Sequence, residues 1–193
     1  MLFRSAKFSS VIQKAGFIQS MADHSLFVKK CHDPFTILLV YVDDMVITGT
    51  NSREIDKLKE HMKKHFLMKD LGEIRYFLGI EIDNTSEGIT LNQRKYTLEL
   101  FNEAGMIDSK PLMTLLDCHE KLLKEGEPMS NPQLYRKVVE KLIYLTITRP
   151  DITFSVHILS QFMQSPTIAH CKATKHLLRY LKTAPRQGLF FPR

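Results

Sequence analysis

Phe35-Thr36-Ile37-Leu38-Leu39-Val40-Tyr41-Val42-Asp43-Asp44-Met45-Val46-Ile47-Thr48-Gly49 sets two adjacent carboxylates inside a run that otherwise reads as two buried strands. An unpaired buried carboxylate is costly, and two neighbours also repel each other. Retaining them calls for compensating positive charge, and a hard divalent cation such as magnesium takes carboxylate oxygens. In a regular strand Asp43 and Asp44 point to opposite faces and cannot share a ligand. At a tight hairpin turn the alternation breaks, so residues 37–42 and 45–48 are expected to form strands on either side. Taken alone, the pair fits a metal-binding turn and an ordinary solvated Asp-Asp turn equally.

Around this hairpin the pattern alternates between helix and strand. Residues 5–20 read as a helix, with Phe8, Val11, Ile12 and Ala15 on one face, and residues 25–29 as a short strand. Asn51 is expected to cap a helix, with Glu54 completing a capping box. Ile55, Leu58, Met62 and Phe66 form its apolar stripe. His61 and His65 on that helix have metal-ligand spacing but no third ligand nearby, and read as surface residues. A second hairpin is expected over 76–83 and 88–92, then a helix over 94–104 with Gly105 as its left-handed cap. Residues 107–132, with Pro111, Pro128 and Pro132, form a polar linker or contact loop. Helices are expected over 134–148, 151–163 and from Pro166 to about 183, with Ser165 capping the last. Residues 187–191 read as a terminal strand.

The 193 residues suffice for one good core, or one core with a helical appendage. No apolar run approaches the roughly 20 residues of a membrane span, so no membrane partner is expected. Cys31, Cys118 and Cys171 are scattered, which argues against a disulfide framework or a zinc site. An intracellular location, cytoplasmic or nuclear rather than secreted, is expected from this and from the lack of a signal-like start. Charge is uneven. Residues 1–133 carry 17 Lys/Arg against 19 Asp/Glu, and residues 134–193 carry 10 against 2. Such a basic segment fits a phosphate-holding surface, and fits equally the solvated faces of amphipathic helices.

Tyr41-Val42-Asp43-Asp44 resembles the Tyr-x-Asp-Asp turn of reverse transcriptases. Lys69-Asp70-Leu71-Gly72 with Tyr76-Phe77-Leu78-Gly79-Ile80-Glu81-Ile82 resembles the hairpin that follows the palm in copia-type retrotransposon polymerases. Tyr144-Leu145-Thr146-Ile147-Thr148-Arg149-Pro150-Asp151-Ile152 and Leu178-Arg179-Tyr180-Leu181-Lys182 are similar to later segments of the same polyprotein, in the same order. The resemblance covers nearly the whole chain. It implies an α+β fold: a partial palm of antiparallel hairpins and helices over 1–92, a thumb-like helix and linker over 93–133, and a basic helical thumb/connection region over 134–193.

It also implies a chemistry. Such polymerases use two metal ions about 3.5–4 Å apart to stabilise the attacking and leaving oxygens of nucleotidyl transfer. Asp43 is the implied Mg2+ ligand, with Mn2+ able to replace it, and Asp44 the supporting carboxylate. Tyr41 and Val42 complete the active-site turn. Phe77, Leu78 and Gly79 match the primer grip, though plain strand packing also accounts for Phe77 and Leu78. Arg149, Lys172, Lys175, Arg179 and Lys182 are the implied nucleic-acid contacts. The implied partners are an RNA or DNA primer–template, deoxynucleoside triphosphates and the remainder of the polyprotein.

The earlier palm strand with its metal-binding Asp, and the fingers, have no counterpart in these residues, and neither Asp23 nor Asp33 lies in a suitable apolar strand. Glu140, Cys171, Thr183 and Leu115 depart from the family pattern of Gly, Trp, Gly and Pro. Three readings therefore stand side by side: part of a polymerase inactive by itself, a non-catalytic nucleic-acid-binding remnant, or a functionless relic.

Overall fold

The computed structural model describes residues 2–30, 35–116 and 122–193. It is mixed α/β, with two antiparallel four-stranded sheets and six helices among the described residues. The chain divides between Ile74 and Arg75 into two compact units. The second hairpin, grouped with the first by sequence, lies in the second unit.

In the first unit, α1 (Leu2–Lys14) is shorter than expected. Gly16 takes φ +89° and turns the chain, so that Ile18 leaves the helix and joins β1 (Ile18–Gln19). β1, β2 (Leu26–Lys30), β3 (Phe35–Tyr41) and β4 (Asp44–Gly49) pair in that order. Register puts Phe27, Leu38 and Ile47 side by side. Strand alternation turns that row to one face, where Ile12 of α1 and Leu58 and Met62 of α2 (Ser52–His65) close the core. Asn51 caps α2 as expected, its Oδ1 accepting from the amides of Arg53 at 3.0 Å and Glu54 at 3.4 Å. Glu54 is not the return half of a box, because its carboxylate accepts from Lys29 at 3.1 Å and Lys57 at 2.7 Å.

The second unit opens with β5 (Tyr76–Phe77), β6 (Ile80–Asn84) and β7 (Gly88–Asn92), joined across its length by β8 (Leu189–Pro192). Residues 76–83 are not one strand. A two-residue turn at Leu78-Gly79 splits them, and Phe77 pairs with Ile80. The helical part comprises α3 (Arg94–Glu103), α4 (Pro132–Leu145), a 3-10 turn over Pro150–Ile152, α5 (Thr153–Ser160) and α6 (Ile168–Leu181). Leu100, Val139, Leu142, Leu159 and Leu177 are fully buried in its core. Glu140 is exposed, so its charge costs little.

Ser165 is not the cap of α6. Thr167 is, because His170 completes a reciprocal capping box with it: the Thr167 amide donates to His170 Nδ1 at 2.9 Å. His170 is fully buried and its ring stacks on Phe162 at 3.8 Å between centroids. Burial pushes its pKa down.

Residues 106–114, between α3 and α4, form a strap laid along the C-terminal half of α6. Lys182 Nζ donates to the carbonyls of Met106 at 3.1 Å, Ser109 at 2.6 Å, and Ile107. Arg179 Nε donates to the carbonyl of Lys110 at 2.6 Å, and the Leu112 amide returns a bond to the Arg179 carbonyl. Thr114 Oγ1 meets His176 Nε2 at 2.9 Å. Of the two expectations for residues 107–132, contact loop describes this part. Cys118 and Cys31 lie outside the described residues, as does Asp33.

Candidate active-site turn and nucleic-acid interface

β3 and β4 end on the pair Tyr41–Asp44, leaving Val42-Asp43 as a two-residue loop. Val42 takes φ +52°, and Asp43 is not among the positive-φ residues. A positive φ at the first loop position alone is the type II′ pattern, a position that favours glycine. A β-branched residue there is strained, and such strain clusters at functional sites. Val42 is 71% exposed, so no packing explains its presence.

Asp43 and Asp44 are both exposed. The expectation that they are buried is therefore corrected: the turn projects beyond the sheet, and water solvates what the apolar flanks do not. Tyr41 and Asp44 share the sheet face opposite Leu38, alongside Leu39 and Val46. Neither carboxylate has an ion-pair or hydrogen-bond partner among the described residues. Carboxylate oxygens are the donors a hard cation takes, and two adjoin here. Among the described residues, however, no three His, Cys, Asp or Glu come together to hold a metal. Asp23 is satisfied locally, accepting from the Ser25 amide at 2.9 Å and the Ser25 hydroxyl at 2.6 Å.

Phe77-Leu78-Gly79 forms a second tight turn. Leu78 at φ +50° and Gly79 at φ +82° give the two positive values of a type I′ hairpin. Gly79 is thus demanded by backbone conformation. Tyr144 of α4 holds the turn in place, its hydroxyl donating to the Leu78 carbonyl. From sequence, Tyr144 enters only as the first residue of the quoted 144–152 segment, with no role at this turn.

The five basic candidates do not share one environment. Arg149 is 2% exposed and forms a two-pronged pair with Asp151, Nε to Oδ1 at 2.9 Å and NH2 to Oδ2 at 2.7 Å. Its NH1 donates to the Ala184 carbonyl. Burial pushes the Asp151 carboxyl up, but the Arg149 hydrogen bonds and charge outweigh it, helped by the Tyr180 hydroxyl, and hold it below the usual range. Arg179 and Lys182 are engaged by the strap. Lys172 and Lys175 are exposed on α6 and have no side-chain partner among the described residues. Elsewhere in the basic segment the charges are engaged: Arg136 donates to the Met163 and Gln164 carbonyls, Lys137 and Lys141 pair with Glu103, and Arg193 donates to Asn84.

Among the described residues no helix is long and apolar enough to cross a membrane. The family described as reverse transcriptase (RNA-dependent DNA polymerase) matches residues 3–117. The chain is 42% identical over 176 residues to the retrovirus-related Pol polyprotein from transposon RE1 of Arabidopsis thaliana, covering 91% of this chain and 12% of that protein. It is 35% identical over 196 residues to the Pol polyprotein from transposon TNT 1-94 of Nicotiana tabacum, covering 96% of this chain and 15% of that protein. An uncharacterized mitochondrial protein of Arabidopsis thaliana is 40% identical over 153 residues, 79% of this chain and 64% of its own length. The chain thus spans about an eighth of the first of these polyproteins. No solved structure matches.

Proposed function

The chain belongs to the reverse transcriptase (RNA-dependent DNA polymerase) family, and from that membership we propose that it is a later palm segment and the start of the thumb or connection region of a copia-type retrotransposon polymerase. One observation carries this reading: adjacent, unpartnered carboxylates stand at the end of a strained, exposed hairpin turn inside the matched region. Asp43 and Asp44 contribute oxygen ligands for Mg2+ or Mn2+. A bound cation of that kind offsets charge developing on the phosphates during nucleotidyl transfer. Tyr41 lies beside Asp44 on the same face, where a primer end or an incoming deoxynucleoside triphosphate would meet it. The Phe77-Leu78-Gly79 turn, braced by Tyr144, presents backbone to the primer strand. Lys172 and Lys175 hold template or primer phosphates as point charges.

The described residues bring no third carboxylate to the turn, so catalysis draws a further ligand from the rest of a Pol polyprotein. The test is primer extension on an RNA template by a polyprotein-length enzyme carrying this chain. Asp43→Asn should lower the rate by about a hundred- to a thousandfold, comparable to removing one preorganised transition-state group. The 193 residues alone should extend nothing. Extension by the isolated chain, or an Asp43→Asn enzyme with undiminished rate, overturns the assignment.

A non-catalytic binding role is the second reading. The unengaged Lys172 and Lys175 favour it, because they attract phosphate with or without metal. It predicts nucleic-acid affinity that is unchanged in Asp43→Asn.

A further inference from the structure

On the helix that backs the first sheet, His61 and His65 stand one turn apart with ring centroids 4.7 Å apart. His65 is exposed and His61 half-buried. Each ring already spends one nitrogen on a backbone carbonyl. His61 Nε2 meets the Val11 carbonyl at 3.3 Å, and His65 Nδ1 meets the His61 carbonyl at 2.9 Å. A carbonyl only accepts, so the neutral rings must carry their protons on those two nitrogens. That leaves His61 Nδ1 and His65 Nε2 as lone-pair donors. Metal-bound histidines show the same division, one nitrogen on the ion and the other anchored to a carbonyl that fixes tautomer and ring orientation.

The spacing agrees. With metal–nitrogen bonds of about 2.0–2.1 Å and angles between a right angle and tetrahedral, two chelating imidazoles put their centroids about 4.5–5.2 Å apart. The observed separation falls inside that span. We propose that His61 and His65 form a two-imidazole site for a borderline divalent transition-metal cation of the Ni2+, Cu2+ or Zn2+ class, with water filling the remaining positions. This site is separate from the Asp43–Asp44 turn. Imidazole suits these ions, whereas hard-oxygen sites suit magnesium and manganese. Bound metal ties the last turn of α2 together across one helical step, and through the Val11 carbonyl it leans on α1.

Calorimetric titration of Ni2+ into the 193-residue chain tests this, because nickel competes less for the chain's thiols than zinc or cuprous copper does. Wild type should bind one ion through this pair, and His65→Gln should weaken that binding about tenfold or more. Wild type should also melt higher with Ni2+ present, while His65→Gln should not. His65 is exposed, so the variant keeps its fold; His61→Gln gives a second route to the same loss. No binding, or equal affinity in wild type and both variants, overturns the proposal. The Asp43→Asn chain should bind Ni2+ as wild type does, which separates this site from the polymerase assignment.

Discussion

At the scale of single residues, strain and burial are decided by positions whose identity looks ordinary in the sequence. Val42 is legible as one turn residue among four, but its left-handed conformation is not, because nothing in a valine signals a positive φ. Replacing it with Asn, which tolerates that region, removes the penalty without removing any packing. Val42→Asn should stabilise the chain by about 1 kcal/mol, read as a higher melting temperature. His170 is the converse case: nothing in Ile168-Ala169-His170-Cys171 marks it as part of a cap, yet it is buried and completes one. The unfolded chain takes up its proton near the ordinary value of 6.5, and burial delays protonation in the folded state. Stability from this group is therefore complete above 6.5 and declines as pH falls towards the lowered folded pKa, by at most about 1.4 kcal/mol per pH unit. Melting curves between about pH 7.5 and about pH 5.5 should show this slope in wild type and lose it in His170→Asn.

At the scale of elements, the hairpin with the carboxylates was readable because β-branched runs flank a break in alternation. Its strands extend to Phe35 and Gly49, close to the expected bounds. The second hairpin was misjudged because Leu78 at a positive φ is as silent as Val42, and the apolar run continued smoothly through it. Residues 187–191 read as a terminal strand, and what sequence could not supply was the partner. β8 pairs with β7 over Leu189–Leu91 to Pro192–Gly88. The approach is close at Gly188, where an added Cβ would sit 2.0 Å from the Leu91 carbonyl oxygen. Gly188→Ala should part the β7–β8 ladder. Hydrogen exchange would show it as faster exchange at β8 amides, while α4 and α6 amides stay protected.

At the scale of the whole molecule, net charge misleads as a count of phosphate contacts. Residues 134–193 carry ten basic side chains. Seven of them, Arg136, Lys137, Lys141, Arg149, Arg179, Lys182 and Arg193, are engaged with carbonyl, amide or carboxylate oxygens within the chain. Only the map of donors reveals which charges are spoken for, and that map depends on the strap, whose polar sequence has no period. Lys172, Lys175 and Arg186 remain. Duplex binding through these three should follow a log–log salt slope of about −2.7, rather than about −9 for all ten. Fluorescence anisotropy across a salt series measures it, and a slope near the larger figure would mean that the strap lets go when nucleic acid arrives. Family membership was legible from the motifs. The distribution of charge over roles was not. The strap has one more consequence, in the currency of covalent labelling. An amine must turn its lone pair outward to attack an acylating reagent, and the carbonyls around Lys182 hold its Nζ and point it inward. Lys172 and Lys175 should acylate first and Lys182 among the last, so a mass-spectrometric map of lysine reactivity would report directly whether the strap is clasped.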